Sequence, residues 1–161
     1  MLTLADFTGC IWHVLRPIED RRAGTLGEFR GTAVLRPHGD GLLYHETGRL
    51  RLGEGPILGA ERKYLWLQAG KRIEVRFEDG RPFHSFRPEG RAAGTDHPCG
   101  RDLYRVTYDF TAWPEWSSDW IVVGPAKDYV MSSRYKLEPR RSPASADALT
   151  HFHVRRIGSA S

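Results

Sequence analysis

We take Glu46 and His84 as the candidate bases of this sequence, because both lie in segments that also carry aromatic side chains. With Tyr108 and Tyr129 as neighbours, either residue could transfer protons inside an enclosed cavity. The alternative is structural, since Glu46 could form a buried ion pair with Arg62. Both interpretations stay open here. The sequence has no G-x-S-x-G motif, P-loop or dinucleotide-binding fingerprint that would favour hydrolysis or nucleotide chemistry.

The segment HPC places His97 and Cys99 two residues apart, and both are ligand types that zinc accepts. A zinc site needs three or four such ligands in compact spacing, so His84, Cys10 or His45 would have to arrive through the fold. The proline between the first two residues indicates a turn or an edge strand. We therefore predict no metal site.

His84 stands among phenylalanines, with Phe83 before it and Phe86 two residues after it. Small β-barrels can hold heme through one proximal histidine with apolar walls, so an axial ligand is conceivable. Nothing else distinguishes His84 from an ordinary strand histidine, and we predict no cofactor.

The stretch GPAKDYVMSSRY, residues 124–135, is best interpreted as a turn that leads into a strand. Its Gly-Pro dipeptide forms the turn, and Asp128 can fix the strand entry by bonding nearby backbone amides. Lys127 is either a rim charge or a cation that reaches over a cavity mouth. Parity sends Tyr129 inward.

Apolar and polar residues alternate with a period of two through most of the chain, which predicts about ten short strands. The segment MLTLADF reads as one short helical turn before the first strand. A Gly-Asp-Gly turn joins TLGEFRGTAVLRP to LLYHETGRLRL as a β-hairpin, and GRAAGTDHPC is predicted as a strand. Closing such a meander into a barrel removes exposed edges, whereas a two-sheet sandwich is the alternative.

We therefore predict an all-β domain over residues 1–137, a single antiparallel up-and-down β-barrel of about 8–10 strands. Residues 138–161 are polar and rich in Pro, Ser and Ala. We expect them to form a C-terminal tail, with one short extra strand in HFHVRRI as an option.

Strand parity decides which residues share the inner face of such a barrel. Alternate positions carry tyrosines together with a few charged and amide side chains. Small barrels either fill their interior or enclose one ligand, and polar groups among aromatics favour the second choice. The residues predicted to bind the ligand are Tyr44, Glu46, Arg62, Tyr64, Trp66, His84, Tyr108, Lys127, Tyr129 and Tyr135.

The segment TAWPEWSSDW places Trp113, Trp116 and Trp120 near one predicted rim of the barrel. An exposed aromatic cluster can form a lid or a partner interface. Packed inward, the same residues would plug one end of the barrel, which is the interpretation we favour.

Charge and terminal sequence argue against several partners and compartments. The formal net charge is +4, but the basic residues are spread along the chain without an RNA-binding motif, so no nucleic-acid partner is expected. The N-terminus lacks a signal-peptide pattern, and no apolar run approaches the roughly 20 residues that cross a bilayer. Cys10 and Cys99 are expected to be reduced thiols. We predict a cytoplasmic protein without a membrane partner, and the oligomeric state stays open.

Six segments, taken in order, resemble one bacterial family: FTGCIWHVLRPIED, LLYHETGRL, RKYLWL, FEDGRPFHSF, HPCGRDLYRVTYDF and WIVVGPAKDYVMSSRY. They are similar to the domain of unknown function numbered 6314, over about residues 6–137. The resemblance implies a lipocalin-like barrel of the calycin type and no established activity. In lipocalins a Gly-x-Trp motif opens the first strand, whereas here two residues separate Gly9 from Trp12.

The leading hypothesis is a barrel that binds a small, partly apolar molecule in its lumen. The first alternative is a barrel enzyme that performs isomerase-type or cyclase-type proton transfer with Glu46 or His84 as base. The second is a protein-interaction module that uses the tryptophan rim. A desolvated Glu46 without an arginine partner would favour the enzyme, and an exposed aromatic patch on a solid barrel would favour the module.

Overall fold

The structure of the protein is a computed structural model, which describes residues 1–139. In this part of the chain no helix is long and apolar enough to cross a membrane. The elements are α1 (Leu4–Phe7), β1 (Ile11–Asp20), β2 (Thr25–His38), β3 (Gly41–Leu52), β4 (Leu58–Ala69), β5 (Arg72–Phe77), β6 (Pro82–Phe86), β7 (Arg91–Ala93), β8 (His97–Cys99), β9 (Asp102–Asp109), β10 (Trp116–Val123) and β11 (Asp128–Leu137). The predicted N-terminal helical turn is confirmed, whereas the predicted extra strand in HFHVRRI lies outside the described residues.

The strands form one antiparallel up-and-down barrel. Neighbours follow chain order from β1 to β6, and β11, β10 and β9 continue from the other side of β1. The pairing of β1 with β11, for example Val14 opposite Tyr135, joins the first strand to the last. Between β6 and β9, Thr95 continues the wall by donating its N–H to the Ser85 carbonyl at 2.8 Å. The predicted all-β barrel is therefore confirmed.

The described residues contain eleven strands, more than predicted, because the segment 90–99 is not one strand. It contributes two three-residue strands, β7 and β8, which pair with opposite ends of β9. Between them the chain turns at Gly94, which passes so close to β9 that a Cβ atom there would lie 2.5 Å from Val106 Cγ1. Thr95 follows and accepts the Ser85 N–H through Oγ1 at 2.9 Å. The break thus directs this segment from β9 toward β6.

Strand parity gives the inner face that the sequence predicts. In β5, Ile73 and Val75 are buried, and in β11 Ser133 and Tyr135 are buried. Arg134 between the last two is exposed. Because alternate side chains point inward along each strand, large rings and polar groups meet in the barrel interior.

Phe7 of α1 closes one end of the barrel. Its side chain is fully buried, and its ring centroid lies 4.9 Å from that of Trp113 and 5.4 Å from that of Trp66. The Leu4 N–H of α1 donates to Gln68 Oε1 of β4 at 3.2 Å, which holds the helix against the sheet. At this end the interior is therefore filled with packed rings.

The three tryptophans near the start of β10 do not share one rim. Trp113 and Trp116 surround Phe7, with ring centroids 4.9 and 6.1 Å away, so these two plug the closed end. Trp120 lies further along β10, with its ring centroid 5.3 Å from that of Phe83. Four residues of a strand span about 13 Å, so β10 carries Trp120 away from the plug. The prediction of a single tryptophan rim is wrong for Trp120.

Replacing Phe7 with Ala should lower the free energy of unfolding by about 3–5 kcal/mol, because the lost ring leaves a cavity among aromatic neighbours. Urea unfolding followed by tryptophan fluorescence measures the change. Leu26→Ala is the control, since Leu26 is 70% exposed and its truncation should leave stability nearly unchanged. Equal losses in the two variants would contradict the role assigned to Phe7.

Candidate functional site

A cavity of about 810 Å³ occupies the barrel interior and opens at the end opposite α1. Exposed Arg62, Arg81 and Cys99 stand at its mouth, and buried aromatic rings form its walls. The structure brings most of the predicted ligand-binding residues together here. Those that line the cavity are Tyr44, Glu46, Arg62, Tyr64, Trp66, His84, Tyr108 and Tyr135.

Lys127 and Tyr129, also predicted to bind the ligand, do not line the cavity. Lys127 Nζ lies 2.9 Å from Asp102 Oδ2 and 3.3 Å from Tyr104 Oη, and these hydrogen bonds raise its pKa. Tyr129 precedes Met131, the first residue of β11 that lines the cavity, by two positions, or about 7 Å of strand. Parity gives the face of a strand residue but not its depth along the barrel, so it does not show that Tyr129 lies outside the cavity.

A buried polar network forms part of the cavity wall. Arg16 makes two parallel hydrogen bonds to Glu46, with nitrogen–oxygen distances of 2.6 and 2.7 Å, and its Nε donates to Ser133 Oγ at 2.6 Å. The Tyr44 hydroxyl donates to Glu46 Oε2 at 2.5 Å and lies 3.2 Å from the Tyr135 hydroxyl. A bidentate arginine–carboxylate pair is among the stronger polar contacts in proteins, so it fixes the side chains that it bonds.

Glu46 is therefore paired, but with Arg16 and not with Arg62. Burial by itself would raise the pKa of Glu46, but hydrogen bonds from Arg16 and Tyr44 and the Arg16 charge outweigh burial and lower it. Arg62 lies directly across from Glu46 on β4, yet its guanidinium makes no hydrogen bond or ion pair with residues 1–139. The ion-pair interpretation of Glu46 holds with a corrected partner, and the desolvated unpaired base required for proton transfer is not present at Glu46.

Arg16 lines the cavity, but it is not among the residues identified from the sequence. It is 6% exposed, and it follows Trp12 and Val14 at intervals of two along β1. The alternation in the sequence therefore places it on the inner face, and that alternation is the signal that could have identified it.

His84 is buried in the cavity wall and makes no hydrogen bond to the Arg16–Glu46 network. Its Nε2 lies 2.9 Å from Tyr108 Oη, and burial, with a smaller contribution from His97, lowers its pKa to about 3. The imidazole is thus neutral at physiological pH and a weak base. Within residues 1–139, no three His, Cys, Asp or Glu side chains are grouped so as to hold a metal ion.

Flat rings form the cavity walls in stacked pairs. Trp116 and Tyr135 stack with centroids 3.6 Å apart and an interplanar angle of 2°. Trp66 stacks on Tyr44 at 5.7 Å, with an angle of 4°. Such walls are rigid, and they offer apolar faces to whatever enters.

Glu46→Gln should lower the free energy of unfolding by about 3–5 kcal/mol, because it leaves the Arg16 charge buried without its counter-charge. The double variant Arg16→Met, Glu46→Leu should lose less unfolding free energy than the sum of the losses in Arg16→Met alone and Glu46→Leu alone. Denaturant unfolding measures all of these values. Glu54→Gln is the matched control, since the Glu54–Arg51 pair is at the surface and should matter little. A Glu46→Gln protein as stable as wild type would contradict this assignment.

The imidazole of His84 should stay neutral at about pH 5, which ¹⁵N NMR titration of the ring nitrogens measures. The unfolded chain takes up a proton near the ordinary pKa of 6.5, while the folded chain does so only near pH 3. The stability contributed by the neutral, buried form is therefore complete above pH 6.5 and is lost as the pH falls toward 3. In His84→Gln this part of the pH dependence should disappear. A titration midpoint near 6.5 would overturn the prediction.

Comparison with known proteins gives a family and a fold. No curated protein matches this chain in sequence. A phycobiliprotein lyase structure from Guillardia theta is 11% identical, with a TM-score of 0.55 over 86% of this chain and 91% of that one. A Nostoc punctiforme protein of the DUF3598 family, of unknown function, is 11% identical, with a TM-score of 0.56 over 87% of this chain and 50% of that one. Residues 7–137 match the model described as the family of unknown function DUF6314, and the chain belongs to that family.

Proposed function

We propose that this barrel binds one small, partly apolar molecule in the cavity between the Arg16–Glu46 network and the mouth. The observation that carries the proposal is the open space of about 810 Å³ inside the barrel. Ligand pockets commonly measure about 300–1,000 Å³, so a molecule of drug size fits. A barrel that served only as a scaffold would be expected to fill this space with side chains.

The composition of the wall supports a partly apolar occupant. Stacked rings such as Trp66 and Trp116 supply flat apolar surface, while Tyr64, Tyr104 and Ser118 add hydroxyl groups at separate points. A few polar groups set among aromatic walls are typical of sites that orient a small molecule. The Guillardia theta protein, which has a similar fold, is named a phycobiliprotein lyase, and we carry over from it only the barrel fold.

Binding is favoured over proton-transfer catalysis, because both candidate bases are weak. The pKa of Glu46 is lowered by its arginine partner, and that of His84 is lowered to about 3 by burial. A general base works best when its pKa lies near the working pH. An interaction module that uses the tryptophans is disfavoured as well, since Trp113 and Trp120 pack against the core.

Native mass spectrometry of the protein purified from its own host should show a bound small molecule. Ser118→Phe should remove that species, because Ser118 is buried in the cavity wall and a phenyl ring there would fill the space. Ser132→Phe is the matched control, since Ser132 pairs with the neighbouring Asp119 and alternates with the inward Ser133. A spectrum of the wild type with apoprotein alone, or an unchanged bound mass in Ser118→Phe, would contradict the proposal.

A further inference from the structure

Two buried nitrogen atoms of the cavity wall, Trp116 Nε1 and His84 Nδ1, have no hydrogen-bond partner among the described residues. Both side chains line the cavity, and they are 4% and 7% exposed. Buried polar atoms in folded proteins are seldom left without a partner, so each indicates a group that belongs there. A molecule in the cavity can supply that group.

We assign the proton of the neutral His84 imidazole to Nδ1, because the Tyr108 hydroxyl has no acceptor other than Nε2 among residues 1–139. Its Nε2 lies 2.9 Å from Tyr108 Oη, which bonds no other group of residues 1–139. When the hydroxyl donates to Nε2, both groups are satisfied, and the single proton of the neutral imidazole then sits on Nδ1. Indole Nε1 is a donor in every state. Both unpaired nitrogens are therefore donors that require an acceptor.

The charged residues at the mouth also favour a ligand that accepts hydrogen bonds. Of the charged residues that line the cavity, Arg16 is neutralised by Glu46, and Arg81 pairs with Asp79 at 2.7 Å. Arg62 has no such partner within the described part of the chain, and it stands exposed at the mouth. The cavity therefore presents one uncompensated cation at its entrance and no uncompensated anion.

We propose that the ligand is an organic anion with a flat, apolar body, a carboxylate-type group at one end and a carbonyl-type acceptor on the body. The anionic end pairs with Arg62 at the mouth, and the carbonyl accepts the N–H groups of His84 and Trp116. The body lies between the stacked rings of the wall. This inference rests on the proposed function, because it names the class of molecule that the same cavity takes.

Three commercial anthracene derivatives separate the contribution of the carboxylate from that of the carbonyl acceptor. Anthraquinone-2-carboxylate carries both groups, 2-(hydroxymethyl)anthraquinone lacks the charge, and anthracene-2-carboxylate lacks the carbonyls. Calorimetry or quenching of tryptophan fluorescence gives the dissociation constants. We expect the first probe to bind about tenfold more tightly than the neutral one, because the bond to the guanidinium is charge-assisted. It should bind about threefold more tightly than the probe without carbonyls, because neutral hydrogen bonds contribute less.

Arg62→Ala should abolish the preference for the carboxylate and leave the preference for the carbonyls. Arg36→Ala is the matched control, since it removes the same charge from an exposed residue of β2 near the closed end. The ¹⁵N resonance of His84 Nδ1 should shift when anthraquinone-2-carboxylate is added, and less when anthracene-2-carboxylate is added.

The outcomes distinguish this inference from the proposed function. Binding without preference for the charged probe, or a preference that survives Arg62→Ala, overturns the inference and leaves a small-molecule barrel in place. The molecule seen by native mass spectrometry must also be an anion, and a neutral or cationic one overturns the inference alone. Failure of all three probes together with an empty native protein overturns both.

Discussion

The buried pair of Arg16 and Glu46 is the interaction on which the interior of this barrel depends. Two charges taken out of water are stable only when their geometry is good and their remaining hydrogen-bonding groups are satisfied. Here Ser133 and Tyr44 complete the set, and Tyr135 contacts the Tyr44 hydroxyl. The network therefore fixes two tyrosines of the cavity wall, and a wall held in this way does not collapse into the open space beside it.

The two ends of the barrel have different chemistry. One end is packed as a core, and the other holds the cavity. Near α1, Phe7 and the rings around it fill the interior and exclude water. Toward the other end, His84, Tyr104 and Arg62 line the cavity. Apolar burial stabilises the closed half, and the open half keeps groups that a ligand can satisfy. One alternating pattern thus supplies both the packed core and the lining of the cavity.

Most of the fold, but only part of the site, follows from the sequence. Alternation with a period of two identifies the strands and their inner faces, because side chains in a strand point to opposite sides. It does not give depth along the barrel, and Tyr129 lies outside the cavity although its position alternates with that of cavity-lining Met131. Nor does it give contacts across the interior. Glu46 is directly opposite Arg62 on the neighbouring strand, but it pairs with Arg16, which lies two strands away on β1 and is opposite Phe29 of β2.

The central claim is that the cavity holds a molecule that the protein selects. The most direct test is a high-resolution crystal structure of the protein purified from its own host without added ligand. We expect continuous electron density in the cavity, with an acceptor atom about 2.7–3.2 Å from His84 Nδ1. Density for water alone, or a cavity filled by rearranged side chains such as Tyr64 and Phe83, would contradict it.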